Sequence, residues 1–334
     1  MVTKVLKNIK TLVCVFLRDL RNYSLHFAIL RFLETFFHTI RWKKFFILFQ
    51  RKKDKYVLDY LKVNFKDVFD KYNMNPTYED FELKKDTEIL PIWVCWLDGI
   101  IKAPLLVQKC IESIKKCAGK HPVIVITKDN YFKYVNLPDY IIEKMQNKQI
   151  QSAHFSDILR VTLIANYGGL WLDSTIYCTR KIPDGYFKYA FFTCKSPEEE
   201  IGCVSKNRWT TFCLGGNKNS PIFCCLRDFF FSYWKIENQA IDYLFFDDAI
   251  EVAIEYVPMI KKLVEQVPIN NTKRDMLIKR FADPWQPECV NDLLQSDTLL
   301  YKLGYREQVY LKKCTELGQE TVYSAFLNDF YLED

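Results

Sequence analysis

Polar side chains of complementary chemistry are concentrated between residues 153 and 175. With about 3.6 residues per helical turn, Ser156, Asp157 and Arg160 lie on one face of a helix and point a hydroxyl, a carboxylate and a guanidinium in one direction. A Gly-Gly turn then leads into a short apolar run that ends at Asp173. Carboxylate oxygens are ligands that Mg²⁺ and Mn²⁺ prefer, and a guanidinium stabilises negative charge. The segment therefore has the groups that bind a metal ion or an anionic substrate.

Each of these residues also has an ordinary structural interpretation. Asp157 and Arg160 could form an exposed ion pair on a helix, worth only about a few tenths of a kcal/mol. Asp173 could be a turn residue, because aspartate often ends a strand and opens a turn. The neighbouring His154 is more typical of a structural histidine than of a catalytic one.

The elements that must position these side chains alternate between strand and helix. Residues 89–97 and 122–127 have the apolar character of buried strands, with a helical pattern between them. Residues 152–166 form the helix with the polar face, the Gly-Gly pair ends it, and residues 170–172 form a short buried strand. Alternation of this kind predicts an open α/β fold with a mostly parallel sheet.

Ligands of such sheets bind beyond the carboxyl ends of the strands, where Trp96, Asp98 and Asp173 would lie. Further along the chain, the patterns predict two strands, at residues 189–193 and 209–214. They also predict two helices, at residues 221–236 and 242–256.

The N-terminal segment differs in charge from the rest of the chain. Residues 1–55 contain 13 Lys or Arg against 3 Asp or Glu, a net charge of +10, so the remaining residues carry −4 of the total +6. Apolar residues near helical spacing predict one or two helices here. The helices either pack on the main domain or on a second subunit, or lie on an anionic inner-membrane surface. We place the boundary near residues 80–88, which gives a helical arm, 1–84, and a main domain, 85–334.

Composition argues against several classes of protein. The apolar runs are far shorter than the roughly 18 residues of a membrane-spanning helix, and no export signal is recognisable. The 12 cysteines are scattered without CxxC spacing, which favours free thiols in a reducing compartment and makes the cytoplasm the expected location. Outside the arm the net charge is negative and no nucleic-acid motif occurs, so we expect no nucleic-acid partner.

The polar segment resembles the capsular polysaccharide synthesis protein family, and more widely glycosyltransferases with a DXD-type sugar-binding region. The family pattern is Ala-x-x-Ser-Asp-x-x-Arg followed by Tyr-Gly-Gly-x-Trp-x-Asp. It is matched here by Ala153, Ser156, Asp157, Arg160, Tyr167, Gly168, Gly169, Trp171 and Asp173. The resemblance extends to residues 92–96, and more loosely to residues 302–305, and covers roughly residues 85–305.

The resemblance implies a GT-A-like, Rossmann-like sheet that binds a nucleotide sugar and is flanked by helices. The implied activity is that of a hexosyltransferase, which moves a sugar from a nucleotide-diphosphate donor, a UDP-sugar foremost, to a capsular or other cell-surface polysaccharide precursor with retention of configuration. The acceptor would be a saccharide or a lipid-linked saccharide, and the enzyme would work in the cytoplasm or peripherally on the inner face of the cell membrane.

The same resemblance assigns roles to residues. Asp157, Arg160 and Asp173 would be catalytic. The implied donor-binding residues are Trp96, Asp98, Ser156, Asp157, Arg160, Gly169, Asp173 and Lys302. Asp157 and Arg160 would hold sugar hydroxyls or the ribose, and Trp96 would stack on or edge the base, as an alternative to ordinary core packing.

Asp173 would also bind Mn²⁺ or Mg²⁺, but the residue two positions later is Thr175 and not the second carboxylate of a DXD motif. The capsule family is similar in having this Asp-x-Thr form, and one carboxylate with a substrate diphosphate can hold such an ion. Cleavage of a sugar–diphosphate bond develops negative charge on the leaving phosphate. A metal ion, Arg160 or Lys302 could meet that charge, although an ordinary surface lysine is the favoured interpretation of Lys302.

Two questions stay open at this point. Asp242, Asp247 and Asp248 form an acidic cluster that either lines the acceptor side or is a solvated helix face. The alternative function is a catalytically inactive nucleotide-sugar-binding or scaffold protein of a polysaccharide assembly complex.

Overall fold

The computed structural model of the chain describes residues 2–74, 89–197, 202–306 and 308–328. Its strands and helices form an α/β fold, as the alternating pattern predicts, but the sheet is mixed and not mostly parallel. The predicted boundary near residues 80–88, with the division between 84 and 85, lies outside the described residues.

A five-stranded mixed sheet lies at the centre of the protein. Its strands are β1 (Ile92–Cys95), β2 (Val123–Ile126), β3 (Gly169–Leu172), β5 (Phe192–Thr193) and β6 (Cys213–Gly216). In the order β2-β1-β3-β6-β5, β1 runs parallel to β2 and β3, while β6 is antiparallel to both of its neighbours. A second, antiparallel pair joins β4 (Ile176–Cys178) to β7 (Leu300–Lys302).

The described residues form four helices before the sheet and nine within or after it. The first four are α1 (Val2–Asn22), α2 (Leu25–Thr39), α3 (Lys43–Asn64) and α4 (Lys66–Asn73). The others are α5 (Leu105–Cys117), α6 (Asp139–Gln146), α7 (Ser152–Tyr167), α8 (Pro221–Ile236), α9 (Phe245–Tyr256), α10 (Pro258–Glu265), α11 (Met276–Arg280), α12 (Glu288–Leu294) and α13 (Val322–Leu327).

The turn between α7 and β3 sets the position of the polar segment. The amide of Gly168 donates to Ile164 O and ends α7, and the Trp93 indole donates to Gly168 O at 2.9 Å. Gly169 has a φ of +106°, and a Cβ there would lie 2.2 Å from Pro91 O. Only glycine satisfies both the positive φ and this close approach, so the turn that the sequence predicts is required by the packing of β3 against β1.

Three sequence expectations differ from the structure in detail. The strand predicted at 209–214 is β6, displaced toward two glycines, and at Gly216 a Cβ would lie 2.5 Å from the Phe223 ring of α8. Glycine weakens a strand pattern in the sequence, but at this position any larger residue would clash with the helix α8 that packs on the strand. The strand predicted at 189–193 is confined to β5, which follows a 3₁₀ helix at Asp184–Lys188. The helix predicted at 242–256 begins at Phe245.

The N-terminal segment forms three helices rather than one or two, and α3 continues to Asn64. One side of these helices packs on the rest of the protein: Phe27, Val57 and Leu61 are fully buried, and α3 contacts α9. In α4, Phe69 packs against Phe229 of α8 with ring centroids 5.4 Å apart. None of the helices in the described part of the chain has the combined length and hydrophobicity needed to span a bilayer.

We predict that Gly169→Ala destabilises the protein by about 2–4 kcal/mol, since the new Cβ requires both a strained φ and displacement of Pro91. Gly185→Ala is the matched control, because nothing lies within 4 Å of its Cβ position. Denaturant unfolding of both variants tests this. Equal midpoints for the two variants would contradict the role of the turn.

Candidate functional site

A cleft of about 650 Å³ lies beyond the carboxyl ends of β1 and β3. A cleft of this size suits a small organic ligand. It brings together seven of the eight residues implied to bind the donor: Trp96, Asp98, Ser156, Asp157, Arg160, Asp173 and Lys302. The side chains that follow β1 and β3 therefore line one cleft, as expected for the carboxyl ends of neighbouring parallel strands.

Asp173 lies at the floor of the cleft between two cations. Its Oδ1 accepts from Arg160 Nη2 at 3.1 Å and from Trp171 Nε1 at 3.0 Å, and its Oδ2 accepts from Lys302 Nζ at 2.7 Å. Burial alone would raise the pKa of this carboxyl, but the charges of Lys302 and Arg160 outweigh burial and lower the pKa to about 2. Asp173 is therefore an ionised, fully engaged carboxylate and more than a turn residue.

Arg160 connects the helix α7 to the strand end. Its Nη2 lies 3.4 Å from Asp157 Oδ1 as well as 3.1 Å from Asp173 Oδ1, and its Nη1 donates to Thr211 O. The guanidinium carbon lies 4.7 Å from the centroid of the Trp171 ring. With only 6% of the Arg160 side chain and 16% of the Asp157 side chain exposed, the pair is no solvated helix contact. The interpretation as an exposed ion pair is wrong.

Lys302 reaches the cleft because β7 pairs with β4. Ile176 lies opposite Lys302 in this register, and the Leu303 amide donates to Thr175 O at 2.9 Å. The ammonium group of Lys302 donates to the Thr175 hydroxyl at 3.0 Å in addition to Asp173. Lys302 thus completes the cluster, although it lies 129 positions from Asp173 in the sequence. It is a cleft residue and not a free surface lysine.

The remaining candidate residues differ in position. Trp96 is half-buried, its ring meets Tyr305 edge to face at 5.5 Å, and its indole N–H has no hydrogen-bond acceptor among the described residues. Asp98 is at the rim, with 70% of its side chain exposed. Ser156 lines the cleft beside Asp157. Gly169 does not line it, because it lies at the start of β3 and Asp173 follows the end of that strand.

The acidic cluster divides into separate environments. Asp247 is buried, accepts from Trp209 Nε1 at 2.9 Å and lines the cleft together with a neighbouring cavity of about 480 Å³. Asp242 and Asp248 face the arm: Asp242 Oδ2 lies 2.7 Å from Lys53 Nζ, and burial with nearby carboxylates raises the pKa of Asp248 well above its ordinary value. A solvated acidic face is therefore the wrong interpretation. The feature of the sequence that pointed to Asp247 was an acidic residue within an otherwise apolar helical segment.

A divalent cation has few protein ligands here. The described residues contain no group of three His, Cys, Asp or Glu side chains that could hold a metal ion. Asp173 and the Thr175 hydroxyl provide oxygen ligands, and substrate phosphates commonly supply the others for Mg²⁺. Lys302 Nζ uses one lone pair of Asp173 Oδ2, so an ion bound to that oxygen would lie beside the ammonium group and take the remaining lone pair. The residues fit a substrate-assisted ion and not a preformed metal site.

The lowered pKa of Asp173 makes its contribution to stability dependent on pH. The unfolded carboxyl has a pKa of about 3.9, so between that value and about 2 the unfolded state binds more protons than the folded state. We predict that the difference in the free energy of unfolding between the protein and Asp173→Asn is constant from pH 7 to pH 5 and decreases as the pH falls from about 4 to about 2. Chemical denaturation across this range measures it, with Asp59→Asn as an exposed control. Loss of the difference above pH 5 would contradict an ion-paired Asp173.

Comparison with known proteins identifies the family. Residues 38–325 match the family described as capsular polysaccharide synthesis protein, a span that includes the central sheet and the whole Asp157–Lys302 cluster. No curated protein and no solved structure matches the chain. Since the family match covers most of the 334 residues, this chain belongs to the capsular polysaccharide synthesis protein family.

Proposed function

We propose that this protein is a glycosyltransferase that transfers a sugar from a nucleotide-diphosphate donor to a capsular or other cell-surface polysaccharide precursor. The observation that carries the proposal is the partly buried cluster of Asp157, Arg160, Asp173 and Lys302 that lines an open cleft. Holding these charges partly out of water is costly, so a ligand that uses them explains the cluster better than stability does. The family membership supplies the biosynthetic context.

The cleft offers complementary groups for each part of such a donor. Trp96 and Tyr305 present aromatic surface to a base such as uracil. Arg160, Lys302 and Arg306 provide positive charge for the diphosphate. The carboxylates of Asp157 and Asp173 accept hydrogen bonds from ribose or sugar hydroxyls. The motif and the alternating strands and helices support a GT-A-like fold for this donor site.

The reaction requires charge stabilisation more than an acid or a base. As the sugar–phosphate bond breaks, negative charge grows on the leaving diphosphate, and the fixed cations Arg160 and Lys302 stabilise it without reorganisation. A Mn²⁺ or Mg²⁺ ion bound by Asp173 and the diphosphate would supply further Lewis-acid stabilisation of the leaving group. Asp173 holds both cations in place before the donor arrives.

The neighbouring cavity is the proposed acceptor side. It meets the cleft at Thr211, Asp247, Lys302 and Leu303, which line both. Asp247 thereby borders donor and acceptor, and its carboxylate is suited to bind an acceptor hydroxyl. We further propose retention of the anomeric configuration, by the resemblance of the motif to that of retaining enzymes.

The acceptor is proposed to be a saccharide or a lipid-linked saccharide on the cytoplasmic side of the cell membrane. All twelve cysteines are free, which is compatible with a reducing compartment.

The test is release of free UDP or GDP from a panel of nucleotide sugars, with Mn²⁺, with Mg²⁺ or with EDTA. We predict that one donor is consumed and that Asp157→Ala and Asp173→Ala each lower the rate at least about 100-fold, because both disturb preorganised charge at the reacting phosphate. Asp59→Ala, an exposed aspartate of α3 that does not line the cleft, keeps the native rate.

Three outcomes distinguish the alternatives. A rate in EDTA equal to that with Mn²⁺ would show that Arg160 and Lys302 suffice without a metal ion. Binding of UDP without turnover of any sugar nucleotide would favour the inactive scaffold. Full activity of both cleft variants, each confirmed as folded by circular dichroism, would contradict the assignment of the site.

A further inference from the structure

The helix α2 carries apolar residues on two opposite faces. One face is buried, with Phe27 and Ala28 fully enclosed. The other exposes large hydrophobic side chains at intervals of three or four residues: Leu25, Ile29, Phe32, Phe36 and Ile40. A helix packed on one side needs no such second stripe for folding, and exposed stripes of this kind mark an interaction surface.

Aromatic contacts extend the stripe across three helices. Phe16 of α1 meets Phe32 of α2 with ring centroids 6.1 Å apart, and Phe37 of α2 stacks on Phe45 of α3 at 5.0 Å. Trp42, in the turn between α2 and α3, lies 5.2 Å from Phe45 and is 59% exposed. We define the apolar face by its exposed members: Val13, Leu17, Leu20, Leu25, Ile29, Phe32, Phe36, Ile40, Trp42, Phe45 and Leu48.

The exposed charges around this face have one sign. Between residues 12 and 53 the acidic residues are Asp19 and Glu34, and both are held in ion pairs inside the protein, with Arg31 and Lys53 respectively. The exposed charged side chains of the same segment, here termed the basic rim, are Arg21, Arg41, Lys43, Lys44, Arg51 and Lys52. Three of them adjoin Trp42 in sequence, and Lys52 Nζ lies 5.8 Å above the Phe49 ring.

We propose that the apolar face and basic rim dock this protein on an anionic lipid bilayer, with the helices lying in the interface and not crossing it. A bilayer offers apolar chains for the face and negative headgroups for the rim, and exposed tryptophan beside lysine and arginine is typical of such an interface. A second copy of the chain is a poorer match. A two-fold dimer through the same face would set one basic rim against the other.

Ion pairs join the arm to the wall of the cleft. On the side opposite the apolar face, Arg31 Nη2 and Lys53 Nζ lie 3.7 and 2.7 Å from Asp242. The next two residues, Tyr243 and Leu244, line the cleft. A bilayer bound to the arm therefore lies at a fixed position relative to the cleft, which suits an acceptor carried on a lipid. The docking itself does not depend on the proposed donor chemistry.

Flotation of the full chain with vesicles tests the proposal. We expect the protein to float with phosphatidylcholine vesicles that contain phosphatidylglycerol, and to remain in the soluble fraction with phosphatidylcholine alone. Lys43→Ala with Lys44→Ala removes two rim charges and weakens binding about 30-fold. Trp42→Ser also weakens it, whereas Lys115→Ala with Lys116→Ala, a matched exposed pair on α5, leaves it unchanged.

Two controls separate this proposal from the others. Release of nucleotide from a soluble donor, measured without vesicles, stays at the native level in all of these variants, so failure of docking and failure of the transferase function are distinguishable. Native melting temperatures exclude unfolding.

Absence of flotation, or equal loss in the α5 variant, would overturn the proposal. A dimer in light scattering that Trp42→Ser converts to a monomer, without vesicle binding, would assign the face to a second copy instead.

Discussion

The architecture of the cleft depends on the need to compensate one half-buried carboxylate, that of Asp173. Asp173 follows β3, and its two oxygens require two cations that come from different parts of the chain, Arg160 of α7 and Lys302 of β7. To supply the second cation, the C-terminal region must return to the sheet and pair β7 with β4. Buried ion pairs contribute little net stability, because desolvation offsets their attraction. The constraint therefore determines geometry: it places the helix α7, the end of β3 and the strand β7 around a common point.

The local part of this arrangement was accessible from sequence. The spacing of Ser156, Asp157 and Arg160 on α7, the Gly-Gly turn and the short strand before Asp173 follow from helical periodicity and backbone sterics over a stretch of about twenty residues. The α/β class follows from the same periodicities, and α8 has the bounds that its apolar pattern predicts. What the sequence could not supply is the environment. Whether Asp157 and Arg160 are solvated or buried depends on Trp171 and Phe246, whose rings enclose the guanidinium.

Contacts between residues far apart in the chain were what the sequence could not supply, for a physical reason. The family resemblance implied a role for Lys302, but only pairing of β7 with β4 places its ammonium group against Asp173. Asp247 is bound by the Trp209 indole and Asp242 by the Lys53 ammonium group. Both contacts join segments that are far apart in the chain. Gly169 shows the opposite error: its place in the motif implied a ligand contact, yet its role is to let β3 approach β1. A motif therefore mixes residues that touch a ligand with residues that shape the backbone.

The contact between Lys53 and Asp242 has a consequence for how the chain can be divided. The family match begins at residue 38, within α2, although Asp19 and Arg31 on its N-terminal side belong to the same buried charge network. A truncated chain that started at that border would lose Arg31 while keeping Asp242 enclosed, so the border of the family is not a border of the folding unit. The N-terminal helices thus belong to the same folding unit as the wall of the cleft and are not a separate appendage.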